Sequence, residues 1–546
     1  MNKVLVISIF TLFIAGCGKN FLDRLPVTKN VVQDFYKTPS DAADALTAVY
    51  NVLTYEDTDP INLLSEIASD DCFGGGGASD GDGLARYDRF IPQIGDNVNQ
   101  NLWQEYYTAI YRANVLLENI GSVNWGSDTT LKTQYTAEDR FLRAYFYFNL
   151  TRLFGQVPLI LHTITPGENT PAATAEDIFK AIAQDLMFAA NSLPAIKYQN
   201  MDPTQYGHAT KWAAEAMLGR VFLYYTGYWS QPDIGGIVTR QQVATYIDDV
   251  INSSGHSLVT NFASLWLVPA ASTGVTYAGE GNSESVFAIK YDIVNKSNQQ
   301  HGANWWSRMI GPRSYNVPPY GQGWGAATVN PHLWNDFDAA DTIRRNASIL
   351  SWAREKLTYT NVGDQRQYTG FNAKKYENLS TVAGQPEDVT LGSTNWQYDG
   401  YEDFMDIRLA DVLLMGAELH LSDNVVLANT YINLVRTRGF GNSNHAVTLT
   451  GNDATSQQLI FQERRFELAF EGQRYWDLMR QCSNPNNNFA PLVQALTTTD
   501  PNGLSPQDLN SQTVDGNNAA AVKGLFQIPP VEIRLMNNVI HQNTGY

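Results

Sequence analysis

Blocks of apolar residues at helical spacing alternate along the chain with long stretches rich in glycine, asparagine and proline. The clearest block is Glu138–Phe154, and it is followed by Gly155, a residue type that commonly ends a helix. Within it, apolar side chains recur on one helical face, at Phe141, Leu142, Tyr145, Phe148 and Leu153. The same spacing predicts further helices at Leu102–Ile120, Ala175–Leu193, Lys211–Tyr225, Gln241–Ile251, Asp406–Leu421, Val425–Arg438 and Gln457–Arg480.

Consecutive predicted helices form pairs joined by short turns. Small residues such as Ala213 and Gly219 let helix axes approach closely, which is typical of a tetratricopeptide-like stack. The pairs are interrupted by a long stretch with little helical periodicity, so a large insertion splits the stack. We therefore predict a mainly α fold in a single unit, residues 17–546, with a helical scaffold mainly in 100–255 and 405–481 and a loop-rich part mainly in 60–98 and 256–404.

The loop-rich part concentrates rigid aromatic side chains among glycine and proline turns. Its aromatic residues include Trp266, Trp305, Trp306, Tyr315, Tyr320, Trp324, Trp334 and Trp352. Short strands are also predicted there, for example at Ser285–Tyr291. Aromatic residues make up 12% of the whole chain, more than a core of this size requires, so some of them are expected at the surface.

The charge balance excludes one class of partner. Lys and Arg total 37 against 55 Asp and Glu, which gives a net charge of −18. A surface of this sign repels phosphate backbones and lacks the basic patch that nucleic-acid binding needs. Nucleic acid is therefore not an expected partner.

The N-terminus has the pattern of a lipoprotein signal. An apolar run, Val4–Ile14, follows Lys3 and leads into Ala15-Gly16-Cys17, a lipobox. The run is too short to span a bilayer, which takes about 20 apolar residues, so residues 1–16 are predicted to be a signal peptide. Cys17 would then carry the lipid that anchors the mature chain, since several acyl chains together hold a protein on a membrane lastingly.

Neither cysteine nor histidine supports a metal or cofactor site. After lipidation only Cys72 and Cys482 remain, so at most one disulfide is possible, and the sequence does not show whether the two meet. No histidine lies in an H-E-x-x-H or similar ligand spacing. The acidic loop with Asp70, Asp71, Asp80 and Asp82 lacks the spacing and closing Glu of an EF-hand, so a solvated turn is favoured over a structural calcium site and no cofactor is predicted.

Two patterns raise the possibility of an enzyme. Residues 77–81 match G-x-S-x-G, the nucleophile elbow of hydrolases, but they lie in a Gly-rich and Asp-rich segment predicted to be a loop, whereas an elbow needs a strand before it and a helix after it. Glu463, Glu467 and Glu471 share one helical face, as paired glycosidase carboxylates would. Three arginines lie within three positions of these acids in the sequence, so a structural role is favoured; they are Arg464, Arg465 and Arg474.

The aromatic residues of the loop-rich part fit sugar binding better than either pattern fits catalysis. Flat C–H faces of sugars stack on rigid rings, while their hydroxyl groups bind polar side chains. The candidate ligand-binding residues are Trp305, Trp306, Trp324, Tyr315, Tyr320, Arg86, Tyr87 and Asp71, with Arg308, Arg313 and Asp88 nearby in the chain. The competing interpretation is that these rings pack under long loops as small additional cores. Trp103, within a predicted helix, is expected in the core.

Several segments resemble the SusD/RagB family of outer-membrane lipoproteins. The most specific is RFLRAYFYFNLTRLFGQVPLI at Arg140–Ile160. The others follow in the family's order, with Phe21–Pro26 after the lipobox, Trp103 and Tyr107–Asn114 next, then Ala209–Tyr224, Asp406–Glu418, Ile432–Gly439, Glu463–Arg480, Phe526–Pro530 and Asn543–Tyr546. The ending departs slightly, with Thr544 where proline is common and Pro529-Pro530 altered.

The resemblance implies a non-catalytic protein on the cell surface of the outer membrane, held there by its lipid. It also implies that the protein binds an oligosaccharide and delivers it to a SusC-like TonB-dependent transporter. Other interpretations stay open. The alternatives are that the same scaffold binds a peptide or glycopeptide, that it is a ligand-free scaffold for protein interactions, and that it is a glycosidase that depends on a carboxylate such as Glu467.

Overall fold

The chain folds around helices that pack side by side, and the computed structural model describes residues 35–55, 61–80, 83–91, 98–165, 167–293, 302–384, 387–393, 397, 400–496 and 516–546. The helices are α1 (Pro39–Tyr50), α2 (Ile61–Ile67), α3 (Gly83–Asp88), α4 (Val98–Asn119), α5 (Thr129–Phe154), α6 (Ala175–Ser192), α7 (Lys211–Tyr228), α8 (Arg240–Ser253), α9 (Leu267–Thr273), α10 (Trp305–Ile310), α11 (Pro331–Asp336), α12 (Thr342–Ser348), α13 (Glu387–Thr390), α14 (Leu409–Leu419), α15 (Val425–Phe440), α16 (Ala454–Glu467), α17 (Arg474–Met479), α18 (Ala490–Leu496), α19 (Gly516–Ala521) and α20 (Pro530–Leu535).

Short antiparallel strand pairs complete the fold. The strands are β1 (Cys72–Gly75), β2 (Ser285–Ile289), β3 (Ala326–Val329), β4 (Ile349–Ser351), β5 (Phe371–Ala373) and β6 (Phe404–Arg408). In the described part of the chain they form two-stranded sheets, β1 with β3, β2 with β6 and β4 with β5. The predicted lipobox and signal peptide lie outside the described residues. None of the described helices combines the length and the apolar character that a membrane span requires.

The long helices form the predicted tetratricopeptide-like series. Helix α5 packs between α4 and α6, and α7 packs between α6 and α8. Although more than 150 residues separate α8 from α14 in sequence, these two helices pack together, and α14 continues the series to α15. The insertion therefore splits the scaffold in sequence but leaves the stack continuous in space.

Local sequence explains several helix ends. Thr38 and Asp41 form a capping box at the start of α1, and Thr239 and Gln242 form one at the start of α8. Gly155 ends α5 with a positive φ of 75°, as predicted. Trp103 is 2% exposed, which confirms its place in the core.

Two predicted helices are wrong in extent. Residues 406–408, predicted as the start of the helix Asp406–Leu421, belong to strand β6, because this segment pairs with β2 from the far side of the insertion. The predicted helix Gln457–Arg480 is two helices, α16 and α17, because the chain turns between them through Phe470 (φ 63°) and Gly472 (φ 68°). Long-range pairing and buried charge override the local helical pattern at both places.

A buried network of charged side chains joins the loop-rich part to the scaffold. Arg408, at the end of β6, donates to the carboxylates of Glu284 (2.7 Å), Glu467 (2.6 Å) and Glu471 (2.6 Å). Arg438 on α15 donates to Glu284 (2.9 Å) and also to Glu467. All five residues are buried. We call this cluster, with Arg344 and Lys375, the central ion network.

The two remaining cations come from the loop-rich part. Arg344 on α12 contacts Glu467 at 3.3 Å, and Lys375 donates to Glu471 at 2.7 Å and to the backbone oxygen of Glu467 at 2.8 Å. The Lys375 Nζ also lies 4.5 Å from the centre of the Trp266 ring. Burial alone would raise the pKa of Glu467, but Arg438, Arg408 and Arg344 hold it well below its usual range.

The structural role predicted for the three glutamates is therefore supported, but the predicted counter-ions are wrong. Arg464 pairs with Asp411 and Asp477, Arg465 with Asp71 and Asp336, and Arg474 with Asp70. The helix ends at Glu467, so the i, i+4 geometry that motivated the prediction does not continue to Glu471. The true partners are distant in sequence.

Replacement of Glu467 by Gln is expected to destabilise the fold by about 3–5 kcal/mol, because it leaves three buried arginines short of a counter-charge. The free energy of unfolding in denaturant measures this loss. Glu176→Gln is the control, since Glu176 forms an exposed ion pair with Lys180 on α6 and should change stability by less than about 1 kcal/mol. Equal effects of the two substitutions would contradict the central role of Glu467.

Candidate functional site

A cleft on the loop-rich part brings one of the predicted tryptophans together with polar side chains from distant segments. Its volume is about 430 Å³, and it is lined by Asp80, Arg313, Ser314, Gln322, Gly323, Trp324 and Gln397. These residues come from the loop after β1, the loops between α10 and β3, and the segment before β6. We call it the Trp324 cleft.

Glycines let the backbone cross closely at the base of the cleft. Gly325 N donates to Gly311 O at 2.9 Å, and Gly323 N donates to Pro312 O at 3.0 Å. A Cβ on Gly323 would lie 2.4 Å from the Gly311 Cα, so a residue larger than glycine would not fit at this position. A Cβ on Gly77 would lie 2.2 Å from the Arg313 guanidinium carbon, which shows how closely this side chain covers the loop.

Arg313 is the electrostatic centre of the cleft. Its Nε donates to Asp364 at 2.6 Å, and its Nη1 donates to Asp80 at 2.9 Å. The hydrogen bond from Arg313 lowers the pKa of Asp364, because it favours the charged carboxylate. These two carboxylates hold the Arg313 guanidinium in one orientation. The side chain of Arg313 still lines the cleft.

Trp324 supplies the aromatic wall. Its side chain is partly exposed, and its ring lies edge-on to the buried ring of Trp305, with centroids 5.6 Å apart. The Trp324 backbone N–H donates to Arg308 O at 2.8 Å, which fixes the segment. Trp305 is 2% exposed, so it supports Trp324 from behind and presents no open face.

Other predicted aromatic residues form a second, small core. Tyr320 and Trp352 are buried with Val268 and Leu350, and the partly exposed Tyr315 packs edge-on against Trp352 at 4.7 Å. Tyr320 also donates a hydrogen bond to Glu355, and burial raises its pKa well above the ordinary value. This is the packing that the competing interpretation predicted for rings under long loops.

The remaining candidates are also mainly enclosed. Trp306 and Tyr87 are each 2% exposed, and the Tyr87 hydroxyl lies 3.1 Å from Asn99 Oδ1. Asp71 is fully buried and accepts a hydrogen bond from Arg465 at 2.7 Å. Arg86 is partly exposed on α3 and does not line the cleft. Stacking of a sugar on Trp305, Trp306, Tyr320 or Tyr87 would require the covering residues to move, and Asp71 is bound as a structural partner of arginine.

The Gly-rich segment before α3 is more ordered than the sequence predicted. Strand β1 precedes residues 77–81 and helix α3 follows them, so the expectation of a loop without flanking elements is wrong. However, β1 belongs to a two-stranded antiparallel sheet, whereas the hydrolase elbow lies at the end of a strand in a larger sheet. Among the described residues, Ser79 has no hydrogen bond to a histidine that could act as its base.

The predicted solvated acidic turn is wrong for two of its four members. Asp70 and Asp71 are buried, and both bind arginines, Asp70 through Arg474 at 2.7 Å and Asp71 through Arg465. Asp80 faces the Trp324 cleft, and Asp82 lies outside the described residues. Within the described part of the chain, no group of three or more His, Cys, Asp or Glu side chains is arranged to hold a metal. Cys72 and Cys482 are free and buried, so they do not form a disulfide.

Several residues of the cleft carried no signal in the sequence. Asp364, Gln322 and Gln397 are ordinary polar residues in loops, and Asp364 lies 51 positions from its partner Arg313. The sequence pattern pointed to Asp80 only as a member of the acidic loop that was compared with a calcium site. The aromatic and glycine content of the segment around Trp324 was the one local sign of a site here.

The fold and the cleft define a class of protein, an α-rich scaffold with a loop-rich face that carries a cleft. Known proteins share this arrangement. The sequence model of a protein family described as "SusD family" matches residues 350–546. A second family model, described as "Starch-binding associating with outer membrane", matches residues 21–223. A SusD-like protein from Bacteroides ovatus is 27% identical over 498 residues, which cover 88% of this chain and 82% of the relative.

Solved structures agree with these matches. A laminarin-binding SusD-like protein superimposes with a TM-score of 0.71 at 27% identity, covering 94% of this chain and all of that one. Surface glycan-binding protein A from Bacteroides fluxus superimposes with a TM-score of 0.74 at 25% identity, covering 93% of this chain and all of that one. These matches bear out the resemblance that the motifs predicted: the chain is similar to SusD-like proteins of the SusD/RagB family over most of its length.

A buried carboxyl holds the loop of the cleft from below. Asp88 accepts hydrogen bonds from Gly74 N at 3.0 Å and from the Gln367 side chain at 3.3 Å, and Gln367 in turn accepts one from Gly75 N at 2.7 Å. Burial raises the pKa of Asp88 to about 7. The folded protein therefore keeps this proton at a pH where the unfolded chain, with an ordinary Asp pKa of about 3.9, has lost it.

Stability from Asp88 should be present below pH 4 and should fall as the pH rises to about 7, by up to roughly 1.4 kcal/mol per pH unit. In Asp88→Asn the side chain is neutral throughout, so the loss between pH 4 and 7 should shrink. Unfolding free energies measured across this range test the prediction. The exposed Asp44 provides the control, because Asp44→Asn should keep the wild-type slope. An unchanged slope in Asp88→Asn would refute the assignment.

Proposed function

We propose that this protein binds an oligosaccharide at the bacterial outer membrane without cleaving it and passes it to a SusC-like TonB-dependent transporter. The observation that carries the proposal is the Trp324 cleft, where a partly exposed aromatic ring adjoins a fixed arginine and several amide and hydroxyl groups. Related proteins named for binding laminarin and surface glycans have the same fold.

The chemistry of the cleft suits a neutral sugar. The face of Trp324 can stack on the C–H face of a pyranose, and the rigid ring loses little entropy on binding. Gln322, Gln397 and Ser314 can both donate and accept, as sugar hydroxyls require. Arg313 adds a charged donor whose position is set before the ligand arrives.

The acids at the cleft support binding rather than hydrolysis. A glycosidase needs one carboxyl with a raised pKa to act as an acid and a second one as base or nucleophile. Here Asp80 and Asp364 share the guanidinium of Arg313, and that contact lowers the pKa of Asp364. Of the glutamates suggested as catalytic, Glu467 and Glu471 are buried in the central ion network, and Glu463 is buried against Arg344 and Arg436.

Location and delivery rest on other observations. The lipobox ending at Cys17 supports a lipid anchor, and the name of the matching N-terminal model refers to association with the outer membrane. The family resemblance supports a cell-surface orientation and a separately encoded barrel transporter as partner. The helical scaffold lies apart from the cleft in sequence and would be free to face that partner.

Trp324→Ala is expected to weaken binding of the cognate oligosaccharide by about tenfold or more, because it removes the exposed stacking face. Calorimetry against a panel of plant, host and microbial glycans would identify the ligand and measure the loss. Intact ligand recovered after long incubation is expected, since no step of cleavage is proposed.

The control is Trp334→Ala, because Trp334 is also a partly exposed tryptophan of the loop-rich part but stacks on Phe371 outside the cleft. It should keep wild-type affinity. Equal loss in both variants would indicate general destabilisation. Binding of peptides but no glycan would favour a peptide or glycopeptide ligand, and binding of neither would favour a protein-interaction scaffold.

Cys17→Ala is expected to release the protein from the membrane fraction, because the thiol that receives the lipid is absent. Fractionation of cells and metabolic labelling with a fatty acid measure the change. Cys482→Ala is the matched control, since Cys482 is buried in the fold and should leave labelling intact. A Cys17→Ala protein that stays labelled in the membrane would exclude the predicted anchor.

A further inference from the structure

A small internal cavity lies between α5, α7 and α17, far from the Trp324 cleft in the chain. Its volume is about 20 Å³, room for one atom of the size of water or a halide. Arg152, Arg220, Tyr224, Trp476, Asp477 and Arg480 are among the residues that line it. We call it the Arg152 cavity.

Arg152 lacks the counter-ion that a buried arginine normally has. It is 3% exposed, and within the described part of the chain no carboxylate lies within 4.0 Å of it. Its guanidinium carbon lies 5.1 Å from the Phe148 ring centre and 4.5 Å from that of Trp476. Burial and the neighbouring Arg220 lower the pKa of Arg152, so its positive charge is held at a cost.

The other arginines around the cavity are already compensated. Arg220 binds Asp406 and Asp411, Arg464 binds Asp411 and Asp477, and Arg480 binds Asp477 and Glu418. They form an alternating chain of acids and bases that ends at Glu418, which is partly open to the surface. Arg152 forms no ion pair within this chain, and the charge of Asp406, which Arg220 already binds, only partly offsets the effect of burial on the pKa of Arg152.

Hydrogen-bond donors without partners surround the same cavity. Among the described residues, no acceptor is bound to the following buried donors: Nε and Nη1 of Arg152, Nε of Arg220, Nη2 of Arg480, Nε1 of Trp476 and the hydroxyl of Tyr224. Unpaired buried donors are rare in folded proteins. We therefore expect an acceptor to occupy a cavity that such a cluster of donors surrounds.

Acceptors are scarce by comparison. The lining carboxylate, Asp477, already accepts from Arg464 at 2.8 Å and 3.0 Å and from Arg480 at 2.7 Å. Gln473 contributes one side-chain oxygen, while its amide donates to Glu471 O at 3.2 Å. A water would bring two hydrogens that need acceptors of their own, whereas an anion only accepts.

We propose that the Arg152 cavity is a binding site for one small monovalent anion, and that chloride occupies it. Sulfate and organic acids are too large for the volume. The ion supplies the counter-charge that Arg152 lacks and joins the last turn of α5 to α17 and α7. It is a structural site, separate from the sugar cleft and independent of the proposed function.

The test measures thermal unfolding of the full-length protein in detergent, in sodium chloride, sodium bromide or sodium gluconate at one ionic strength. Chloride and bromide are expected to raise Tm saturably, by about 2–3 °C at a hundredfold excess over Kd, and gluconate is not, because it cannot enter. Arg152→Met should abolish the halide dependence. Arg140→Met, which changes a more exposed arginine of the same helix, should keep it.

Tyr224→Phe covers the case in which Arg152→Met does not fold, since it removes only one hydroxyl donor and should weaken the halide effect several-fold. Crystals grown in bromide should show an anomalous peak between Arg152, Tyr224 and Trp476. A water in that position with no bromide signal, or a Tm that is equal in chloride and gluconate, would overturn the proposal.

Discussion

The central ion network is the constraint on which the rest of the structure depends. Four cations, one each from α12, β6, α15 and the loop after β5, meet at Glu467 and Glu471, where helix α16 ends. Each of these charges would be costly to bury alone, and each is stable only because partners from the other half of the chain surround it. The network therefore ties the insertion to the scaffold in one arrangement.

The position of the Trp324 cleft follows from that arrangement. Once β6 pairs with β2 and the network is formed, the segments from Asp80, Arg313 and Asp364 are brought to the same side of the molecule. The close glycine crossing at Gly311 and Gly323 lies directly before Trp324, whose backbone N–H is bound to Arg308 O. A rigid helical stack can in this way carry a binding face made almost wholly of loops, with the ligand chemistry left to residues that the stack does not need.

The Arg152 cavity illustrates the same logic within the scaffold. Arg152 lies in the Arg140–Ile160 segment that carries the strongest family resemblance, yet its environment comes from α7 and α17, which are distant in sequence. Charged residues that occupy the polar positions of an amphipathic pattern in the sequence are thus buried in the structure, where they form chains of acids and bases. Pairing across long sequence separations, and not i, i+4 spacing, decides their roles.

The sequence by itself determined the helical scaffold, most helix positions, the split by a loop-rich insertion and the resemblance to the SusD/RagB family, because apolar periodicity and motifs such as that around Arg140 are local properties. It also predicted that aromatic residues of the insertion form a binding face. Only the tertiary structure decided that Trp324 is partly exposed while Trp305, Trp306 and Tyr320 are covered, that Asp71 binds Arg465, and that Phe404–Arg408 is a strand. The exposure of a side chain and its ion-pair partners depend on which distant segments come into contact. A local sequence pattern does not specify those contacts.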